Sequence, residues 1–235
     1  MLELSQKFKA LETSLKDSKI EIETSRLKRL EDYDKGIRAI EFEYNNLNTE
    51  FNYRFPESFK DMLNLDTFYF YGSIEIDGYF SHLEVSIELV STLLRLLDFD
   101  NKLCFDGQSG EEIALWKTFR LLDTRPEIGD GKMAVFSLKD GVSPPNEPDI
   151  YYIDRAEAYK TNLTFVQYYE AVLDMLGIAY WQYLFTDVSF KDPMLDHIYP
   201  ELKASLEALQ KALPQKDYSR YFELLEARLN KSIKK

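Results

Sequence analysis

The spacing of apolar residues changes along this chain, and each spacing predicts a different kind of element. In residues 1–40, apolar side chains recur three, four or seven positions apart, which predicts an amphipathic helix. The residues of this stripe are Leu4, Phe8, Leu11, Leu15 and Ile22. Residues 19–23 also alternate with period two, so a strand remains the alternative there. Ser25 is placed to cap a second helix, whose stripe begins at Leu27.

Between residues 55 and 80 the pattern passes from a short helix to strands. Pro56 suits a first helical turn, and the residues after it predict a helix over 56–63. Beyond this helix the period becomes two, which predicts strands at 68–71 and 74–80. Gly72-Ser73 predicts a break between them, and Asp77-Gly78 predicts a hairpin turn.

A further helix signal follows directly. The run Ser81-His82-Leu83-Glu84 has the spacing of a capping box, and two apolar stripes continue behind it. Together they predict a helix from His82 to Leu97. Because both faces of this helix are apolar, we expect it to be buried between layers.

The remaining pattern predicts more strands and then a helical tail. Four further strands are predicted at 102–106, 119–123, 132–138 and 149–154. Turns separate them at 106–107, 129–131 and 140–141. Thr164 begins a second capping box, and the helix that it opens is expected to end at Gly177. The tail from Ile178 is predicted to be helical, with breaks at Pro193, Pro200 and Pro214.

Charge is distributed unevenly and restricts the class of partner. Residues 41–180 hold 25 of the 41 acidic residues but only 11 of the 29 basic ones. Such a module repels nucleic acid and anionic membranes and favours a basic protein surface. Cys104 is the single cysteine and cannot form an internal disulfide, and the sequence shows neither a secretory signal nor a membrane-spanning run. We therefore expect a cytoplasmic protein with no nucleic-acid or membrane partner.

Three phrases of sequence resemble the SUKH superfamily, which includes the yeast regulator of cell-wall glucan synthesis and many bacterial toxin-immunity proteins. Its opening phrase, a helix with an aromatic or leucine before proline, is similar to 55–63. Its closing phrases, two strands and a Ser/Thr-Phe helix start, are similar to 133–141, 149–154 and 163–173. The usual Asn-Gly-Gly-like turn after the first helix is replaced by Asn64-Leu65-Asp66.

The resemblance implies an α+β fold: a single curved, mainly antiparallel sheet packed against helices, with helical N- and C-terminal extensions. The predicted domains are an extension at 1–36, an acidic SUKH-like domain at 37–177 and a second extension at 178–235. The resemblance also implies no cofactor and a function that depends on binding, which in bacterial members is often the blocking of a delivered toxin.

Two groups of residues are predicted to bind a partner. No residue is predicted to be catalytic or to bind a metal, a role that ranks last for the acidic group. The acidic candidates are Asp98, Asp100, Asp106, Glu111 and Glu112. They do not match a calcium loop, because the sixth position from Asp98 is a leucine. The aromatic candidates are Tyr69, Tyr71 and Tyr79, which acids border as in many protein interfaces. His82 and His197 lack metal-ligand spacing, so structural or solvent roles are expected for both.

These observations lead to three hypotheses of different classes. The first is a non-catalytic module that binds a basic protein, in its sharpest form a bacterial immunity protein that occludes a basic toxin domain. The alternative is a structural or regulatory adaptor that forms homo-oligomers through its terminal helices. The third is a hydrolase that holds a divalent ion at the acidic cluster.

Overall fold

A computed structural model describes the chain in segments and gives its secondary structure. The described residues are 2–16, 18–28, 41–42, 44–45, 48–49, 55, 59–60, 67–88, 109–138, 147–155 and 157–232. The strands are β1 (Ile20–Lys28), β2 (Thr67–Ile76), β3 (Tyr79–Glu88), β4 (Phe119–Thr124), β5 (Met133–Ser137), β6 (Asp149–Asp154) and β7 (Glu157–Lys160). The helices are α1 (Leu2–Lys16), α2 (Gly110–Lys117), α3 (Phe165–Met175), α4 (Ile198–Ala212) and α5 (Ser219–Asn230), with a 3-10 helix at Trp181–Phe185.

The strands form one seven-stranded antiparallel sheet in the order in which they occur along the chain. Within it, β4 pairs with β5 and β5 with β6, with Leu121 opposite Val135 and Val135 opposite Tyr151. A register shift between Leu121 and Asp123 bends β4. The predicted α+β class and the antiparallel sheet are therefore confirmed. The SUKH-like arrangement of these elements stays a prediction.

The chain divides into two compact units that interleave along the sequence. The first contains Met1–Ser25, Phe70–Val85 and Gln167–Lys235, and the second contains Arg26–Tyr69 and Ser86–Val166. β1, β2, β3 and α3 each have residues in both units. The predicted domain boundaries after residues 36 and 177 stay a prediction.

Helices supply most of the core of the first unit. In α1, Phe8, Leu11 and Leu15 are buried, as their spacing predicts. In α4 and the turns before it, apolar residues three or four positions apart are also buried, namely Leu195, Ile198, Leu202, Leu206 and Leu209. Pro214 follows the end of α4, whereas Pro200 lies in its first turn rather than at a break. A proline is tolerated there because the first-turn N–H groups have no intrahelical acceptor.

The second unit has an aromatic core of its own on the sheet. Trp116 of α2 contacts Phe119 with ring centroids 5.5 Å apart, and Phe119 lies 5.0 Å from Tyr151. Val135 and Ile153 complete this cluster. Their neighbours in β5 and β6 are buried as well, so both faces of these two strands belong to the core.

Two of the predicted helices are wrong where the structure describes them. Ser25 lies inside β1, so the alternative of a strand at 19–23 is the correct one. β3 continues through Ser81-His82-Leu83-Glu84 to Glu88, and the predicted helix from His82 therefore does not begin there. Leu83, Val85 and Ile87 are each buried, with a spacing of two. A capping-box spacing is a local signal, and pairing within the sheet overrides it.

Two elements were not predicted at all. α2 begins with a capping box in which the Ser109 hydroxyl accepts from the Glu112 N–H and the Glu112 carboxylate accepts from the Ser109 N–H. The sequence contains this Ser-x-x-Glu spacing, but the segment was assigned only to the acidic cluster. β7 is a four-residue strand with no buried residue, so it lacks the alternation that reveals a strand.

Other predictions lie wholly or partly outside the described residues. Phe59 and Lys60 are helical within the predicted helix at 56–63, and its other residues are not described. The predicted strand at 102–106 and the turns at 106–107 and 140–141 are also outside the described ranges. The turn at 129–131 is described, and both of its glycines have positive φ.

Candidate functional site

The β2–β3 hairpin of the first unit has one buried face and one exposed face. Phe70, Gly72, Ile74 and Ile76 are buried, whereas the residues that alternate with them, Tyr71, Ser73 and Glu75, are half-exposed or exposed. Asp77 and Gly78 form a two-residue turn in which both have positive φ, as the hairpin signal predicts. This turn connects Ile76 to Tyr79, so Glu75 lies opposite Phe80.

Three ring-bearing residues, Tyr71, Phe80 and His82, lie together on this hairpin. The rings of Tyr71 and His82 are stacked, with centroids 6.2 Å apart and planes 9° from parallel. The Phe80 ring meets His82 edge-on, with centroids 4.9 Å apart. Phe80 is 52% exposed, which is uncommon for a phenylalanine in a sheet. We call Tyr71, Glu75, Phe80 and His82 the hairpin face.

The hairpin face is bordered by carboxylates. Glu75 is exposed on β2, and Glu21 and Glu23 are exposed on the adjacent strand β1. Within the described ranges, none of these three carboxylates has an ion-pair partner. Their charge is therefore available to a ligand.

Asp77, in the turn, differs from these carboxylates because it is paired. The Lys211 ammonium group donates to Asp77 Oδ2 at 2.9 Å. This hydrogen bond lowers the pKa of Asp77 and raises that of Lys211. Lys211 therefore neutralises the tip of the hairpin and leaves the negative charge on the strands.

The three tyrosines predicted to bind a partner lie in different environments. Tyr71 belongs to the hairpin face. Tyr79 points to the other side of β3, where its hydroxyl lies 2.6 Å from the Ser205 hydroxyl of α4. Tyr69 is half-exposed on β2 and belongs to the second unit. Of the three, only Tyr71 lies among the ring-bearing residues of the hairpin face.

The predicted acidic cluster is described only in part. Glu111 and Glu112 are exposed in the first turn of α2, where negative charge complements the helix dipole. Hydrogen bonds from the backbone and hydroxyl of Ser109 lower the pKa of Glu112, which therefore has a structural role as a cap. Asp98, Asp100 and Asp106 lie outside the described residues. Whether these acids form one binding surface stays a prediction.

Sequence reasoning missed Glu75, Phe80 and His82 as members of a site. The alternation of residues 74–80 was visible, but the sequence does not say which of two alternating faces is covered. Assigning His82 to a helix also separated it from Tyr71. A strand continued through His82 would have placed Phe80 and His82 on one face.

Comparison with known proteins identifies no relative. No family model, no curated protein and no solved structure matches this chain. Over the described ranges, no three His, Cys, Asp or Glu side chains are grouped so that they could hold a metal ion. In the same ranges, no helix has the length and apolar character needed to cross a membrane. We therefore infer a function from the geometry of this chain.

Proposed function

We propose that this chain is a non-catalytic binding protein whose hairpin face receives a lysine- or arginine-rich surface of another protein. The observation that carries the proposal is the exposed Phe80 beside His82 and Tyr71, with unpaired carboxylates on the same and the adjacent strand. Ring faces attract cations, and arginine guanidinium groups stack on them. Carboxylates at the edge of such rings add a second attraction for the same ligand groups.

Charge and aromatic contact would act at different stages of binding. The net charge of −12 attracts a basic partner from a distance and raises the association rate, an effect that salt reduces. Aromatic side chains that lose water at the centre of an interface hold the complex together and slow its dissociation. Phe80 is the residue best placed for this second role.

The sharpest form of the proposal is a bacterial immunity protein that occludes a basic toxin domain. It rests on the acidity of the chain and on the sequence phrases that resemble SUKH proteins. Occlusion needs a rigid surface and no reactive residue. A gene beside that of this chain, encoding a long secreted protein with a basic C-terminal domain, would supply the partner to test.

The adaptor alternative gains less support. Its main support is the apolar stripe of α1. However, Phe8, Leu11 and Leu15 of this stripe are already buried within the first unit. A stripe that is covered by its own chain is not available for self-association. Light scattering of the full chain would revive the alternative if it showed a stable oligomer.

The proposal can be tested with a defined basic probe. A fluorescent ten-residue arginine peptide is titrated with the full chain, and anisotropy is measured at low and physiological salt. Binding should weaken as salt rises, and Phe80→Ser should weaken it about fivefold, as expected for loss of a cation–ring contact. Glu75→Lys should weaken binding more than Phe80→Ser does, because it replaces an attractive charge with a repulsive one.

A matched control distinguishes binding at the hairpin face from nonspecific binding of the peptide. Phe42 is 62% exposed and belongs to the second unit, whereas the hairpin face belongs to the first. Phe42→Ser should leave the affinity for the arginine peptide unchanged. Equal losses in the two serine variants, or equal binding of a ten-residue glutamate peptide, would contradict the proposal.

A further inference from the structure

A cleft separate from the hairpin face lies within the first unit. It has a volume of about 440 Å³ and is formed by α1, the C-terminal half of α3 and the residues where α5 begins. Cavities of this size hold small-molecule ligands in other proteins. Its lining combines buried apolar side chains with five charged ones, and the charged residues are Lys7, Glu170, Asp174, Lys216 and Arg220.

Both carboxylates of the cleft are already neutralised. Glu170 accepts from the Lys7 ammonium group at 2.8 Å. Asp174 accepts from the Lys216 ammonium group at 3.0 Å and from the Tyr221 hydroxyl at 2.6 Å. Two cations and two anions therefore cancel within the cleft.

Arg220 is the cation that remains. Among the residues that the structure describes, no carboxylate forms an ion pair with it. Its guanidinium carbon lies 4.9 Å from the centre of the Tyr221 ring and 6.0 Å from that of Phe185, so the group rests on aromatic faces. Stacking of this kind leaves the N–H groups at the guanidinium edge free to donate, and their fork matches a carboxylate.

The remaining wall of the cleft is apolar apart from Ser14, whose hydroxyl donates to the Ala10 carbonyl. Leu11 and Leu173 are buried and line it together with Ala10. Lys216 cannot easily turn toward a ligand, because its ammonium group also donates to the Leu173 carbonyl at 2.9 Å. A ligand that fits would have one anionic end for Arg220 and an apolar body for the leucines.

We propose that this cleft binds a small organic carboxylate with an apolar chain, held through its carboxylate by Arg220. The net charge of the lining residues is +1, which one carboxylate balances. A dianion such as phosphate would leave an uncompensated negative charge beside Glu170 and Asp174. This site shares no residue with the hairpin face, so its test is independent of the proposed protein-binding function.

The test uses isothermal titration of the full chain with hexanoate. Hexanamide, which has the same chain without the charge, and inorganic phosphate are the comparison ligands. Hexanoate should bind and the other two should not. Arg220→Gln should weaken hexanoate binding about tenfold or more, the usual effect of losing hydrogen bonds to a charged group. Arg26→Gln, which removes the same charge from exposed β1, should have no effect.

A second variant changes affinity in the opposite direction and excludes a purely structural effect. Glu170→Gln removes a competing carboxylate from the cleft, so hexanoate should bind about twofold to fivefold more tightly. Damage to the fold cannot produce this gain. Equal binding of hexanamide, an unchanged affinity in Arg220→Gln, or no hexanoate binding at about 10 mM would overturn the proposal.

Discussion

Gly177 provides the sharpest test of the packing in the first unit. It follows α3 with a φ of +69°, a conformation that L side chains avoid. Its carbonyl accepts a hydrogen bond of 3.4 Å from the Glu84 N–H of β3. A Cβ added here would overlap the Glu84 carbonyl, which is backbone and cannot rotate away, and would lie 2.8 Å from Val85 Cγ2. Gly177→Ala should therefore separate the end of α3 from β3.

The expected loss can be estimated from its parts. An alanine in the left-handed region costs about 1 to 2 kcal/mol. Displacing the Glu84 backbone loses a hydrogen bond worth about 1 kcal/mol. Crowding the fully buried Val85 adds about 1 to 3 kcal/mol. Together these contributions lower the free energy of unfolding by about 3 to 6 kcal/mol, a large part of the stability of an ordinary domain.

Gly78 supplies the matched control. Its φ of +81° is similar, but a Cβ added there has no neighbour within 4 Å. Gly78→Ala should therefore cost only the backbone part, about 1 to 2 kcal/mol. The difference between the two variants measures the close approach of Gly177 to β3 alone.

Urea unfolding followed by tryptophan fluorescence measures both variants. Trp181 is buried in the first unit and contacts Tyr168 with ring centroids 5.0 Å apart, whereas Trp116 belongs to the second unit. A Trp116→Phe background restricts the signal to the unit that contains both glycines. A Gly177→Ala loss within about 0.5 kcal/mol of the Gly78→Ala loss would refute the packing argument.

Three further predictions concern single contacts. Burial raises the pKa of the Tyr221 hydroxyl above its ordinary 10.0. The unfolded chain therefore releases this proton at a lower pH than the folded chain, and the free energy of unfolding should fall as pH rises past about 10. Tyr221→Phe should lessen this fall, and at neutral pH it should cost about 1 to 2 kcal/mol in urea unfolding by losing the bond to Asp174. Ser109→Ala should raise the pKa of Glu112 toward 4.5, which an NMR titration measures. In the intact chain the capping bond stabilises the fold above pH 4.5, and this stability is lost as pH falls through the lowered pKa of Glu112. Phe80→Ser should change the free energy of unfolding by less than about 1 kcal/mol, so any larger loss would mean that Phe80 is a core residue rather than a binding residue.

Elements with a purely local signal could be predicted from the sequence. The strands at 119–124, 133–137 and 149–154 follow from short, mostly apolar runs between turn residues. α1 and α4 follow from their apolar stripes, and the hairpin turn follows from Asp77-Gly78. In each case the residues that carry the signal are neighbours in sequence, and no distant partner is needed to read them.

The failures occurred where local and distant interactions disagree. The capping-box spacing at Ser81 favours a helix, yet the segment is held as a strand, with Gly177 bonded to Glu84. Helix propensity contributes at most a few tenths of a kcal/mol per residue, and a row of sheet hydrogen bonds with buried side chains outweighs it. No residue of the segment that begins at Ser81 indicates that Gly177 packs against it.

The sequence by itself determined the α+β class, the acidity of the chain and most of the strands in its second half, because composition and period are properties of adjacent residues. Only the tertiary structure decided that Phe80 and His82 are exposed, since the uncovered face of a hairpin depends on what packs against the other. It alone brought Lys7 and Arg220 to one cleft. Residues so far apart meet only when the burial of many apolar side chains repays the entropy of ordering the chain between them.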